Sequence, residues 1–147
     1  MTAGEIIAIS SLLAGVLDLS ATAAVMAAQR VPFKRLLQFI ASGAFGDSSF
    51  NEGTRTAGVG LLFHFLIASV AATIYYTVSQ RLPICLDRPV LFGVIYGIAV
   101  HLVMSLIVVP LSRAPKRAFS IKAFVTQLVI HVLCVGLPIA LTQSYLA

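Results

Sequence analysis

Four long apolar stretches, separated by short polar segments, dominate this chain of 147 residues. They cover approximately residues 5–29, 56–80, 89–111 and 121–145. An α-helix needs about 20 apolar residues to cross about 30 Å of hydrocarbon, so each stretch is long enough for one crossing. The composition, 59% hydrophobic and 10% charged, is typical of a polytopic membrane protein. The sequence therefore predicts one domain over residues 1–147, an all-α integral membrane protein with four antiparallel transmembrane helices.

The first connection predicts a further, shorter helix. From Phe33 to Gly46 the apolar residues follow helical spacing, while Lys34, Arg35, Gln38 and Ser42 fall on the other side. This pattern is typical of an amphipathic helix, over about residues 33–46, that lies on the cytoplasmic interface of the membrane. We interpret it as a surface anchor; the alternative is a gate or a docking surface for a partner.

Lys and Arg residues are distributed unequally between the two sides of the predicted bundle. One side holds eight of the ten: Arg30, Lys34, Arg35, Arg55, Arg113, Lys116, Arg117 and Lys122. The other side holds only Arg81 and Arg88. Because cytoplasmic loops are enriched in Lys and Arg, both termini are expected on the non-cytoplasmic side. The net charge of +5 therefore indicates topology and contacts with the lipid bilayer, and no nucleic-acid motif accompanies it.

Each predicted span carries one ionisable or imidazole side chain near its middle. These are Asp18, His64, His101 and His131, and no other histidine is present. An aspartate at the centre of a membrane helix costs about 2.5–3.5 kcal/mol, so four such groups at similar depth indicate a buried site near the bilayer midplane. Three hydrogen-bonding residues on the same helix faces complete the predicted site: Thr22, Ser105 and Gln127.

Small residues mark the faces on which membrane helices approach each other closely. Gly15, Gly60, Gly93 and Gly97 share helix faces with the four midspan groups, and we expect them to pack helices together. Gly60 and Gly97 each precede a histidine by four residues, so they leave room for a neighbouring backbone or a flat ligand. Helix packing is the preferred interpretation. Pro138 predicts a bend in the fourth span.

Tyrosines often lie at the membrane interface, where the ring meets lipid and the hydroxyl meets water. Tyr75 and Tyr76 come near the end of the second span, and Tyr145 near the end of the fourth. All three are expected at the outer interface.

Several motifs follow one another between residues 58 and 135. They are Gly60-Leu-Leu-Phe-His-Phe-Leu-Ile-Ala68, Tyr75-Tyr76, Arg81-Leu-Pro83, a run from Gly93 to His101-Leu-Val-Met-Ser105, Pro110-Leu111 and the later His131. Together they resemble the YagU-like family of bacterial inner-membrane proteins. The resemblance implies an inner-membrane protein with no assigned activity, in a family associated with acid tolerance. Asp18 and the amphipathic helix lie outside the family's pattern, so the resemblance implies no role for them.

The midspan groups are compatible with three functions. The first is proton- or cation-responsive transport or another pH-related role, since histidine titrates near pH 6.5 and protonation changes the electrostatics of a bundle. A chain of this length is expected to need a homo-oligomer or a membrane-complex partner to build a pathway.

The second function is the binding of haem or a divalent metal. Three imidazoles and a carboxylate suit zinc, iron or manganese, so His64, His101, His131 and Asp18 are candidate ligands. His101 and His131 could instead ligate a haem between their helices. The third function is that of a structural or accessory subunit, whose polar groups only hydrogen-bond one another, at about 0.6 kcal/mol each. No catalytic motif is visible, and an enzyme is not expected.

Overall fold

The computed structural model describes all residues from Met1 to Ala147. About 85% of the residues are helical, and there is no strand. The helices are α1 (Ala3–Ala28), α2 (Phe33–Phe45), α3 (Thr54–Arg81), α4 (Ile84–Asp87), α5 (Pro89–Leu111) and α6 (Ile121–Leu146). Of these, α1, α3, α5 and α6 are long and apolar enough to cross a membrane. The all-helical fold and its four candidate spans are confirmed, with bounds within two residues of those predicted.

The ends of the first three helices follow from local chemistry. Thr2 and Glu5 form a capping box at the start of α1, where the Glu5 carboxylate accepts a hydrogen bond from the Thr2 backbone at 2.7 Å. Gly46 ends α2 with φ +69°, and Gly53 precedes α3 with φ +66°. Backbone of this left-handed kind favours glycine, so these two residues allow the chain to reverse between α2 and α3.

Both α5 and α6 contain a wider, π-helical turn just before a proline. The turns cover Met104–Val108, ahead of Pro110, and His131–Gly136, ahead of Pro138. A proline has no backbone N–H, and its ring collides with the carbonyl four residues earlier. The residue before each proline donates its N–H to a carbonyl five residues earlier, which relieves this collision. The sequence predicts a bend at Pro138, and the structure has a widened turn ahead of it that begins at His131.

Glycines bring the backbones of α5 and α6 into direct contact. A Cβ atom on Gly97 would lie 2.5 Å from the Cα of Val132. A Cβ atom on Gly136 would collide with the carbonyl oxygen of Gly93. Side chains are thus excluded from this contact, and the two helices approach as closely as small residues allow.

Two more glycines lie in close contacts of α3 and α1. A Cβ atom on Gly60 would overlap the carbonyl of Leu37, so the backbone of α2 fills the space beside the α3 glycine. A Cβ atom on Gly15 would lie 2.7 Å from the ring of Phe65. The sequence left room beside Gly60 and Gly97 for either a neighbouring backbone or a flat ligand. In the structure a neighbouring backbone fills this room at both glycines.

The second helix is more deeply embedded than a surface anchor. Leu36, Leu37 and Ala41 are buried, as an amphipathic helix predicts. The prediction that Gln38 and Ser42 lie on the polar outer side is wrong, because both are buried. The Gln38 amide donates a hydrogen bond to the Gly53 carbonyl at 3.0 Å, so its polar group is satisfied inside the fold.

Many residues in the interior of the bundle are small, while most of the large apolar side chains point outwards. Ala14, Ala72 and Ala140 are fully or almost fully buried, whereas Leu62 is 67% and Leu106 63% exposed. This distribution is the reverse of that in a water-soluble protein, where large apolar residues fill the core. It leaves an apolar outer surface on every long helix.

One tyrosine does not lie where the sequence predicts. Tyr75 is buried, and its hydroxyl donates a hydrogen bond to the Cys85 carbonyl of α4 at 3.0 Å. The short helix α4 therefore covers this ring and replaces the interface as its polar partner. Contrary to the expected contact with lipid at the interface, the Tyr75 ring is buried inside the protein, whereas Tyr145 is 88% exposed.

Candidate functional site

A cavity of about 550 Å³ lies between α1, α2, α3, α5 and α6. Seventeen of its 26 lining residues are hydrophobic. Six of the seven residues predicted for the buried site also line it: Asp18, Thr22, His64, Ser105, Gln127 and His131. Asp18 is the only acidic residue among them, and no Lys or Arg lines the cavity. The cavity is thus an apolar space with a single carboxyl group.

Asp18 and His64 face each other across the contact of α1 with α3. The Nε2 atom of His64 lies 3.9 Å from Oδ2 of Asp18, and the two side chains are 13% and 15% exposed. The same Nε2 donates a hydrogen bond to the carbonyl of Gly15 at 2.8 Å. Because a carbonyl can only accept, Nε2 carries a proton and Nδ1 is the basic nitrogen of the neutral ring. The pair is therefore close enough for charge interaction but is not hydrogen-bonded.

The Asp18 carboxylate is not satisfied within the chain. Its Oδ1 atom is buried and has no hydrogen-bond partner. Buried polar groups nearly always have a partner, and an unpartnered carboxylate is among the most costly exceptions. Asp18 Oδ1 is thus a buried acceptor that no donor of the chain satisfies.

His101 and His131 form a second pair, between α5 and α6. Their Nδ1 atoms lie 3.3 Å apart, and Nδ1 of His131 also donates to the Gln127 carbonyl at 2.8 Å. The proton therefore belongs to His131, and Nδ1 of His101 is an acceptor. His101 is only 1% exposed, and its ring packs edge-on against the ring of Phe124, with 4.5 Å between the two ring centroids. Of the residues predicted for the site, only His101 lies outside the cavity wall.

Weaker hydrogen bonds connect the second pair to α1. The Thr22 hydroxyl donates to Oε1 of Gln127 at 3.5 Å, while the Gln127 carbonyl is the acceptor of the His131 ring. Ser105 Oγ lies 3.5 Å from both ring nitrogens of His101. These contacts run from the cavity wall into the contact between α5 and α6, where they end at the sealed His101.

The four candidate metal ligands do not come together. No three His, Cys, Asp or Glu side chains lie close enough to hold a metal ion. Asp18 is close to His64, and His101 is close to His131, so the four candidate ligands do not gather into one cluster. The 3.3 Å between the Nδ1 atoms of His101 and His131 also leaves no space for a porphyrin between the rings.

The cavity wall includes α2, which the sequence did not predict as part of a site. Leu36, Phe39, Ile40 and two small residues of α2 line the space. The connection between α5 and α6 holds this helix in place, because the Arg113 backbone N–H donates to the Gly43 carbonyl at 2.9 Å. The available signal was the apolar face of α2, which is ambiguous between lipid and a protein cavity.

No family model, curated protein or solved structure matches this chain.

Proposed function

We propose that this protein crosses a bilayer with four antiparallel helices, α1, α3, α5 and α6. Two contacts support opposite directions for α1 and α6. Ser10, near the start of α1, accepts a hydrogen bond from Gln143 near the end of α6, whereas Thr22 contacts Gln127 near the start of α6. The outward-facing leucines supply the apolar surface that lipid requires.

The sidedness of the protein follows from its charges. Eight Lys and Arg residues against two favour a cytoplasmic position for α2 and the α5–α6 connection, with both termini outside. The bacterial inner membrane is the location that the YagU-like resemblance implies, and it stays a prediction together with the family.

The function that the cavity supports best is proton- or cation-responsive transport. The carrying observation is the Asp18 carboxylate, which has one buried oxygen without a partner and faces His64 across an apolar cavity. An ionised carboxylate in such a place is stabilised by a positive charge, either a proton on His64 or a bound cation. Intramembrane carboxylates and histidines are the groups from which proton pathways are built. We expect the transporting form to be a homo-oligomer or part of a membrane complex.

Proton flux into liposomes tests this function. Purified protein is reconstituted into vesicles that contain a pH-sensitive dye. The pH of the external medium is then lowered, with and without added cations. Because Asp18 is the only acidic group of the cavity, we expect vesicles with the parent protein to acidify several times faster than vesicles with Asp18→Asn.

Asp47→Asn is the matched control, because Asp47 is an exposed acidic residue in the turn after α2, outside the cavity. It should behave as the parent. Equal flux for the parent and Asp18→Asn, under every cation tested, would contradict the proposal.

A structural or accessory role is the second candidate, and the His101–His131 pair favours it. His101 is buried between α5 and α6, and its polar contacts are to His131 and Ser105. Such a pair fastens two helices without a ligand. If this role is the whole function, substitution of either histidine changes stability and no flux.

A further inference from the structure

The size of the cavity corresponds to an organic ligand. Its volume of about 550 Å³ lies within the range of about 300–1,000 Å³ found for small-molecule sites. Such sites are mostly apolar, with a few polar groups that orient the ligand. Seventeen hydrophobic residues among the 26 that line this cavity match that description.

The charge of the cavity selects a cation. Asp18 is its only acidic residue, and the lining contains no Lys or Arg that could neutralise it. The His64 N–H nearest to the carboxylate is already donated to Gly15, and Oδ1 of Asp18 has no partner. A positive ligand would approach the carboxylate through the 15% of the Asp18 side chain that is exposed, and it would break no hydrogen bond of the chain.

The desolvation cost decides between an inorganic and an organic cation. A small metal ion must lose its water and needs several oxygen or nitrogen ligands in return. No three His, Cys, Asp or Glu side chains of this protein lie close enough to hold such an ion. An organic cation whose charge is shielded by apolar groups is weakly hydrated, and a single carboxylate with apolar and aromatic walls suffices for it. Phe63 supplies an aromatic ring to the wall.

We propose that the cavity binds a lipophilic organic cation, such as a quaternary ammonium or phosphonium ion, with its charged centre beside Asp18 and its apolar groups against α2, α3 and α5. This assignment rests on the proposed function and names its substrate class. Protons compete with the ligand, since both neutralise the same carboxylate. The titratable groups facing Asp18 are His64 on α3 and His131 with Cys134 on α6, while α2 and α5 bring no charged side chain to the cavity.

Tetraphenylphosphonium is the probe for this site, and tetraphenylborate is its control of the same shape and opposite charge. Equilibrium dialysis measures the binding of each ion to the full-length protein in lipid nanodiscs. We expect saturable binding of the phosphonium only, weakened at least about tenfold in Asp18→Asn and nearly unchanged in Asp18→Glu and Asp47→Asn. Binding by the parent should also weaken as the pH falls, because protons occupy Asp18.

Three results would overturn the proposal. They are equal affinity for both ions, equal phosphonium binding by the parent and Asp18→Asn, and binding by the parent that does not depend on pH. The last comparison and the borate control need no substitution, so they hold even if Asp18→Asn does not fold. Proton flux that depends on Asp18, without phosphonium binding, would refute the substrate class and leave the proposed function standing. Phosphonium binding that depends on Asp18, without proton flux, would refute the proposed function and leave the organic-cation site standing.

Discussion

At the scale of single residues, the Asp18–His64 pair and the His101–His131 pair differ in what surrounds them. His64 lies at the cavity with a carboxylate 3.9 Å from its Nε2, while His101 is sealed between helices beside another imidazole. The first arrangement leaves an unsatisfied charge that can respond to a ligand. The second satisfies its own hydrogen bonds. We therefore assign function to the Asp18–His64 pair and stability to the His101–His131 pair.

Glutamine substitutions separate these two roles. His101→Gln should lower the free energy of unfolding by about 1–3 kcal/mol, because the ring loses its packing on Phe124, and proton flux should persist. His64→Gln should alter flux with little effect on stability. Thermal unfolding in detergent and the liposome assay measure the two effects. Loss of flux in His101→Gln at unchanged stability would reverse the assignment.

The identity of the site residues was largely predictable at this scale, but their grouping was not. Periodicity put Asp18 and the three histidines on inward faces, and six of the seven predicted residues line one cavity. Periodicity shows that residues share one face of a helix, but it does not show which neighbouring helix that face contacts. The separation of His101 from the cavity depends on the glycine contacts of α5 with α6, which arise only when both helices are in place.

At the scale of helices, the contact between α5 and α6 depends on the absence of side chains. Gly97→Ala would place a Cβ atom 2.5 Å from the Cα of Val132, a distance that backbone atoms cannot relieve without moving a helix. We expect a loss of about 1–3 kcal/mol in unfolding free energy, the usual cost of overpacking. Denaturant titration in mixed micelles measures it.

Gly58→Ala is the control for this substitution. Gly58 also lies within a candidate span, α3, but a Cβ atom there would meet nothing within 4 Å. Alanine has the higher helix propensity by about 1 kcal/mol, so this variant should be as stable as the parent or slightly more stable. Similar losses in the two variants would mean that the α5–α6 contact is not as close as described.

The bounds of the helices were predictable because length and hydropathy determine them, whereas the π-helical turns were not. Pro138 predicted a bend in the fourth span, but it did not predict the widened turn that precedes it. The widened turn begins at His131, so the residues that follow it are shifted relative to the regular helix before it. Likewise, the apolar face of α2 did not distinguish a membrane surface from a cavity wall.

At the scale of the whole molecule, the distribution of charge predicts the orientation in the membrane. Ala147→Cys, at the end of α6, should react with a membrane-impermeant maleimide on intact cells. Asn51→Cys, between α2 and α3, should react only after permeabilisation. Each variant is the control for the other, and the opposite labelling pattern would show an inverted protein.

Cys85, the native cysteine outside the candidate spans, adds little background to this labelling. Cys85 lies in α4, outside the candidate spans, and is buried. Burial raises the pKa of the Cys85 thiol, so less of the reactive thiolate is present at neutral pH than for an exposed cysteine. The parent protein should accordingly be labelled slowly from either side.

If Asp18 exchanges a proton or a cation inside the cavity, infrared difference spectroscopy of the protein in lipid detects the change at its carboxyl group. The difference between spectra recorded at acidic and alkaline pH should contain the carbonyl band of a protonated carboxyl group, which is absent in Asp18→Asn and present in Asp47→Asn. The same band should decrease when tetraphenylphosphonium is added at constant pH. Spectra of the parent and Asp18→Asn that are identical in this region would show that Asp18 exchanges neither a proton nor a cation.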